Sequence, residues 1–144
     1  MIKNGREYLD WVEEHIRTMD ERINRNIERL AELRANAQSL SAISNGERVQ
    51  TSSTFDKTGD LLAKIAELEI YIDERIDSRN DFIEKVKEKL RRIEDDKLYN
   101  VLVDRYIHGK TDSMIAEECH ITDRGARKRA VKALAEFDKI YKKS

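Results

Sequence analysis

Apolar residues near the start of the chain recur in steps of three and four: Leu9, Val12, Ile16, Met19, Ile23, Leu30, Leu33, Ala37 and Leu40, with Asn26 the polar member of the series. That spacing lays one stripe along a helix and predicts a heptad seam over about residues 6–40, roughly 50 Å long at 1.5 Å per residue. A second series, Leu62, Ile65, Glu69, Ile72, Ile76, Arg79, Ile83, Val86, Leu90 and Ile93, predicts another helix over about 60–94. Leu61, Leu68 and Phe82 widen its stripe beyond a narrow seam, which implies more than one packing partner. Between the two, residues 41–59 are rich in Ser, Thr, Asn and Gly and read as a loop, long for a helical hairpin. Val49 and Phe55 are expected to tuck back onto the helices, and Asp56 or Thr58 to cap the second one.

Neither helix is stable with its stripe exposed, because burial of the apolar face supplies most helical stability. The expected arrangement over 1–95 is therefore a long antiparallel helical hairpin, a coiled coil. Asn26 has two readings: a seam position that tolerates a polar residue near solvent, or a buried amide that fixes register or oligomeric state at a cost in stability.

After Asp95 and Asp96 the pattern shortens, and residues 96–144 read as a small domain of brief helices. Leu98, Val101, Leu102, Tyr106 and Ile107 form one amphipathic face, stopped by Gly109 at a C′-like position. Thr111 then caps a helix holding Met114, Ile115, Ala116 and Cys119, with Asp112 in its first turn and Cys119 read as core. His120–Ile121 makes a tight turn. Thr122 caps the final helix, whose inner side carries Ala126, Ala130, Ala133, Leu134 and Phe137. Short helix, turn, longer helix is the plan of a helix-turn-helix. Arg124, Arg127, Lys128, Arg129 and Lys132 stand outside the inner face with no acid among them. Such a display suits phosphate contacts and guanine edges in a DNA major groove, whereas charge alone also fits an ordinary solvated helix face.

At these residues the chain resembles a known group of proteins. Arg105 to Thr111, Met114 to Thr122, Arg129-Ala130 and Lys132-Ala133-Leu134 are similar to the fourth conserved region of bacterial sigma factors, and more narrowly to phage and prophage regulators of the ArpU and RinA type. Upstream, residues 49–53 and the helix after them are similar to the middle segment of that family, but only the C-terminal third is specific. The resemblance implies control of late phage genes. It departs from the family at His120, where glycine is usual, at Ala126, where a larger aliphatic is common, and at Gly125, which costs about 1 kcal/mol relative to Ala inside a helix and permits close backbone approach. No segment matches the promoter-melting region, so a complete sigma factor is not implied.

Composition supports an all-α class. Charged residues make up 40% of the 144 and hydrophobic ones 39%, which suits long helices with little core, and proline is absent. The net charge of −1 points to no partner by itself, but from Lys97 onward 11 basic residues face 7 acidic ones, against 17 and 22 before it. This asymmetry marks a polyanion-facing end. One cysteine cannot form an intrachain disulfide, and neither a spanning apolar run nor a signal-peptide pattern occurs, so no membrane partner and a cytoplasmic setting, nucleoid-associated when bound, are expected.

Enzyme chemistry is not expected. Glu117-x-x-His120 is half of a di-iron helix motif, but neither His15 nor His108 supplies the second half, and His120 reads as a turn residue. No phosphate-cradling glycine loop or nucleophile set stands out, so no catalytic residue, metal ligand or cofactor is assigned. Tyr8, Trp11 and Tyr71 lie at or beside the seams and read as packing residues. The expectation is a sequence-specific double-stranded DNA-binding regulator, in which Arg124, Arg127 and Lys128 face bases, Gly125 allows close approach, and Arg129, Lys132 and the Thr111 and Thr122 helix starts hold phosphates. The expected partners are duplex DNA, RNA polymerase and a second copy of the chain, with a dimer favoured. The alternatives are a DNA-packaging protein like a small terminase subunit, and a coiled-coil interaction module.

Overall fold

The computed structural model describes residues 2–46 and 52–143, with side chains described over 2–42 and 56–143. The described residues are all-α. Five helices follow in order: α1 (Gly5–Gly46), α2 (Ser52–Leu90), α3 (Asp96–Leu102), α4 (Asp112–Cys119) and α5 (Asp123–Lys143), with a π-helical turn at Val103–Ile107 directly after α3. The chain divides into two compact units, one of residues 1–18 with 80–144 and the other of residues 19–79.

In the unit of residues 19–79, α1 and α2 run antiparallel. Asp20 pairs with Arg79, and further along, Arg34 Nη2 lies 2.7 Å from Glu69 Oε1. The core between them is Leu30, Leu33, Ile65 and Ile72, flanked by Ala37, Leu61 and Leu68. This corrects the expected seam of the second helix. Leu62 and Ile76 are exposed, at 55% and 36%, and Leu61 and Leu68 take the place beside Ile65 and Ile72. Both rows have steps of three and four, but the row through Leu62 contains Glu69, whose carboxylate would have to be desolvated. The observed packing leaves Glu69 at the rim, where it meets Arg34. Asn26 is half-buried and its amide donates to the Arg22 carbonyl, 2.8 Å away, so its polar group is satisfied within its own helix.

The expected loop over 41–59 is also corrected, since α1 continues to Gly46 and α2 begins at Ser52. Ser, Thr and Asn cost only about 0.7 kcal/mol each or less in a helix, and with no proline nothing ends either helix early. Asp56 and Thr58 therefore lie inside α2 and do not cap it. Val49 and the side chain of Phe55 lie outside the described residues. The second helix ends at Leu90, short of the expected 94, and buried Ile93 follows after a turn.

The other unit joins the start of α1 and the end of α2 to α3, α4 and α5. Leu9, Val12, Val86, Leu90, Leu102, Ile115 and Phe137 are its largest fully buried side chains. An aromatic cluster ties α1 to α5: the Tyr8 ring lies 6.0 Å from Phe137 and 5.4 Å from Tyr141, with Lys89 Nζ 4.6 Å from its centroid. Trp11 stacks on His15, and both meet Phe82 edge-on. Gly5 is required here because an added Cβ would fall 2.9 Å from the Phe137 ring and 3.0 Å from the Asp138 backbone. The freed backbone approach lets Gly5 N–H donate to Asp138 Oδ1 at 2.8 Å, so a carboxylate of α5 terminates α1. No helix among the described residues is long and apolar enough to cross a membrane.

Candidate nucleic-acid interface

Local chemistry fixes each corner of the segment that leads to α5. Asp95 caps α3 by accepting from Lys97 N–H at 2.9 Å and Leu98 N–H at 3.4 Å. The π turn then lets Val101, Leu102, Val103, Tyr106 and Ile107 all be buried in succession, with His108 N–H donating to the Val103 carbonyl. Gly109, at φ 66°, makes the reversal that a Cβ would strain. Lys110 Nζ bridges Glu118, at 2.8 Å, and Asp104, at 3.6 Å. The hydrogen bond to Glu118, with the Asp104 charge, holds this ammonium above its usual pKa against some desolvation.

Thr111 caps α4, its hydroxyl accepting from Met114 N–H at 3.2 Å. Ile115 and Ala116 are buried, and α4 packs against α5. His120 ends α4 in the left-handed region, φ 57° and ψ 43°, with its N–H directed to the carbonyls of Ala116 and Glu117. This is the conformation that the tight turn demands and that glycine adopts most easily. Cys119, expected in the core, is exposed. It follows the apolar period of α4 but sits in its last turn, which no described residue covers.

Thr122 caps α5, with Oγ1 accepting from Gly125 N–H at 3.0 Å. A Cβ on Gly125 would stand 3.2 Å from that same oxygen, so the glycine leaves room for the cap itself. Ser113 and Asp123 join the two helix starts through a 2.8 Å hydrogen bond. Ala126, Ala130, Ala133 and Phe137 form the buried side of α5, with Leu134 half-buried beside them. Three alanines there bring the helix close to its neighbours.

The five predicted cations divide among three directions on this helix. Arg124 and Lys128 are exposed, one turn apart, opposite the buried alanines. Arg127 leans toward the start of α4, its Nε 3.7 Å from Asp112 Oδ2, while the other oxygen of Asp112 accepts from Arg105 at 2.6 Å. Its side chain stays 69% exposed, so the tether is loose. Arg129 is half-buried on the flank, and exposed Lys132 lines a groove with Glu94, Asp95 and Glu136. Thr111 and Thr122 mark the two helix starts, 11 residues apart in the chain. Across α5, 8 basic residues face 3 acidic ones. The arrangement offers an exposed cationic helix face, suited to contact phosphates and to present side chains to base edges. Sequence reasoning passed over Val131, which lies among these cations and is 64% exposed. Its signal was available: it falls one position off the inner spacing of Ala126, Ala130, Ala133 and Phe137.

No protein-family model, curated protein or solved structure matches this chain.

Proposed function

We propose that this chain is a sequence-specific double-stranded DNA-binding transcriptional regulator whose α5 reads the major groove. The observation that carries the reading is the exposed Arg124–Lys128 face of a helix that is capped by Thr122 and packed on a second Thr-capped helix across a three-residue turn. Helix-turn-helix readers present the N-terminal part of the second helix to bases in this way. Arg124 and Lys128 contact bases, and Arg127 joins them when a phosphate or guanine competes with Asp112. Arg129, Lys132 and the helix starts at Thr111 and Thr122 hold the backbone, and Gly125 keeps the first turn slim. The resemblance to ArpU and RinA regulators supports a role in late-gene control in a bacterial cell infected by, or carrying, a phage. RNA polymerase or a second copy of the chain is then the natural partner.

A second reading has its own observation. Ile27, Leu62, Ile70 and Ile76 are exposed in the unit of residues 19–79, more apolar side chain than a solvated hairpin needs. They favour a protein-interaction role for that unit, whether it serves a dimer or another partner. Selection of bound duplexes from a random pool, using the full chain, tests the DNA reading. A reproducible enriched sequence is expected, palindromic for paired heads and a single half-site for a chain that works with a partner. Failure to enrich any duplex at low salt contradicts DNA reading and leaves the interaction module.

A further inference from the structure

We infer that Val131 is a base-reading residue that recognises the C5-methyl group of a thymine, an inference that rests on the DNA-binding reading of α5. Val131 is the most exposed of the large hydrophobic residues in the described chain, at 64%. Folding of α5 does not use it, because Ala126, Ala130, Ala133 and Phe137 fill the buried side. Its helix position accounts for its exposure. Arg124, Lys128 and Val131 follow at i, i+4 and i+7, so they share one face of the helix, and Ala135 continues it without bulk. Base-reading helices of three-helix DNA-binding domains lay side chains along a groove with this periodicity.

The chemistry of the neighbours selects the ligand. Arg127, Lys128 and Lys132 surround Val131 in sequence and attract a polyanion, yet an isopropyl group makes no favourable contact with phosphate. In the major groove of duplex DNA the apolar feature on a base edge is the thymine methyl, and an aliphatic side chain reads it by burying both methyl surfaces. A protein surface is a poorer match, because beside Val131 on this helix stand only Arg127 and Lys128 toward the N-terminus and exposed Ala135 and half-buried Leu134 toward the C-terminus, too little apolar surface for a protein interface. Arg124 and Val131 are separated by about 10 Å along the helix, at 1.5 Å per residue. With about 3.4 Å of rise per base pair, the thymine lies roughly two to three steps from the base that Arg124 reads.

The test uses the full chain and a duplex recovered by selection from a random pool. Each thymine is replaced singly by deoxyuridine, which removes the C5-methyl alone, and dissociation constants are measured for the wild type and for Val131→Ala. One replacement, two to three base pairs from the position whose preference is lost in Arg124→Ala, weakens wild-type binding about four-fold, the effect of one buried methyl group. Val131→Ala binds the thymine duplex about as weakly and no longer distinguishes thymine from deoxyuridine at that position, while Val131→Thr, which keeps one methyl, retains part of the discrimination. If no deoxyuridine replacement matters, or if the sensitive one stays equally sensitive in Val131→Ala, this inference is overturned while DNA binding by α5 stands. If no duplex is enriched, or Arg124→Ala and Lys128→Ala bind as the wild type does, the underlying reading fails with it.

Discussion

At the scale of single residues, polar atoms at helix ends do most of the specifying. Thr111, Thr122 and Asp95 each satisfy backbone N–H groups that a helix start leaves open; the two threonine caps were legible from residue type and position, whereas Asp95 was read only as the point where the pattern shortens. The tight turn at His120 was legible from the sequence, and its left-handed backbone was implied by the resemblance, in which glycine usually fills that position. The Asp138 cap on Gly5 was not legible, because 133 residues separate the partners and no local rule links them. Its carboxyl is held below its ordinary value of 3.8, first by the Gly5 N–H and then by Lys142, against a smaller opposing effect of desolvation. A depressed folded-state pKa stabilises the fold at pH above 3.8, and the contribution disappears as pH falls through the folded value. Chemical denaturation of the wild type and Asp138→Asn across that range should therefore show a stability gap at neutral pH that closes in acid. A gap independent of pH would mean that the hydrogen bond does not depend on the carboxylate charge. Cys119 shows the opposite kind of miss: its period was right, but periodicity cannot report that the last turn of α4 is uncovered.

At the scale of elements, the period of three and four announced both long helices but left their packing rows open. Ile65 and Ile72 belong to either row of α2, and the choice between Leu61–Leu68 and Leu62–Glu69–Ile76 turns on where a carboxylate can stay hydrated. The absence of acid from the first row was the available clue. The structure predicts that Leu33→Ala, in the core of the unit of residues 19–79, costs about 2–4 kcal/mol, while Leu62→Ala stays within about 0.5 kcal/mol. Urea titration of the two variants checks it, and equal losses would restore Leu62 to the seam. The helix ends were the least legible feature, because a run of Ser, Thr and Asn is permissive of helix as well as of loop. On α5, the inner alanines and outer cations were both plain from spacing. The separation of Arg127, drawn toward Asp112, from Arg124 and Lys128 needed the crossing of α4 and α5.

For the molecule as a whole, composition established the all-α class, and charge asymmetry located the cationic end. The division into units follows a different line from the change in sequence pattern near residue 95. Residues 1–18 and 80–94 pack in one unit with α3, α4 and α5, through Tyr8, Phe137, Tyr141 and the Gly5–Asp138 contact. These are long-range contacts between apolar rings, and a heptad pattern carries no information about them. Charge removal at matched sites tests whether α5 carries the proposed contact with DNA. Affinity for an enriched duplex is compared between Arg124→Ala/Lys128→Ala and Arg17→Ala/Arg29→Ala, which removes the same charge from exposed positions on α1. If α5 reads the groove, the first pair weakens binding by about 2–6 kcal/mol and relaxes sequence preference, while the second lowers affinity slightly and leaves preference intact. Equal, small losses from both pairs, with sequence preference unchanged, would contradict the account.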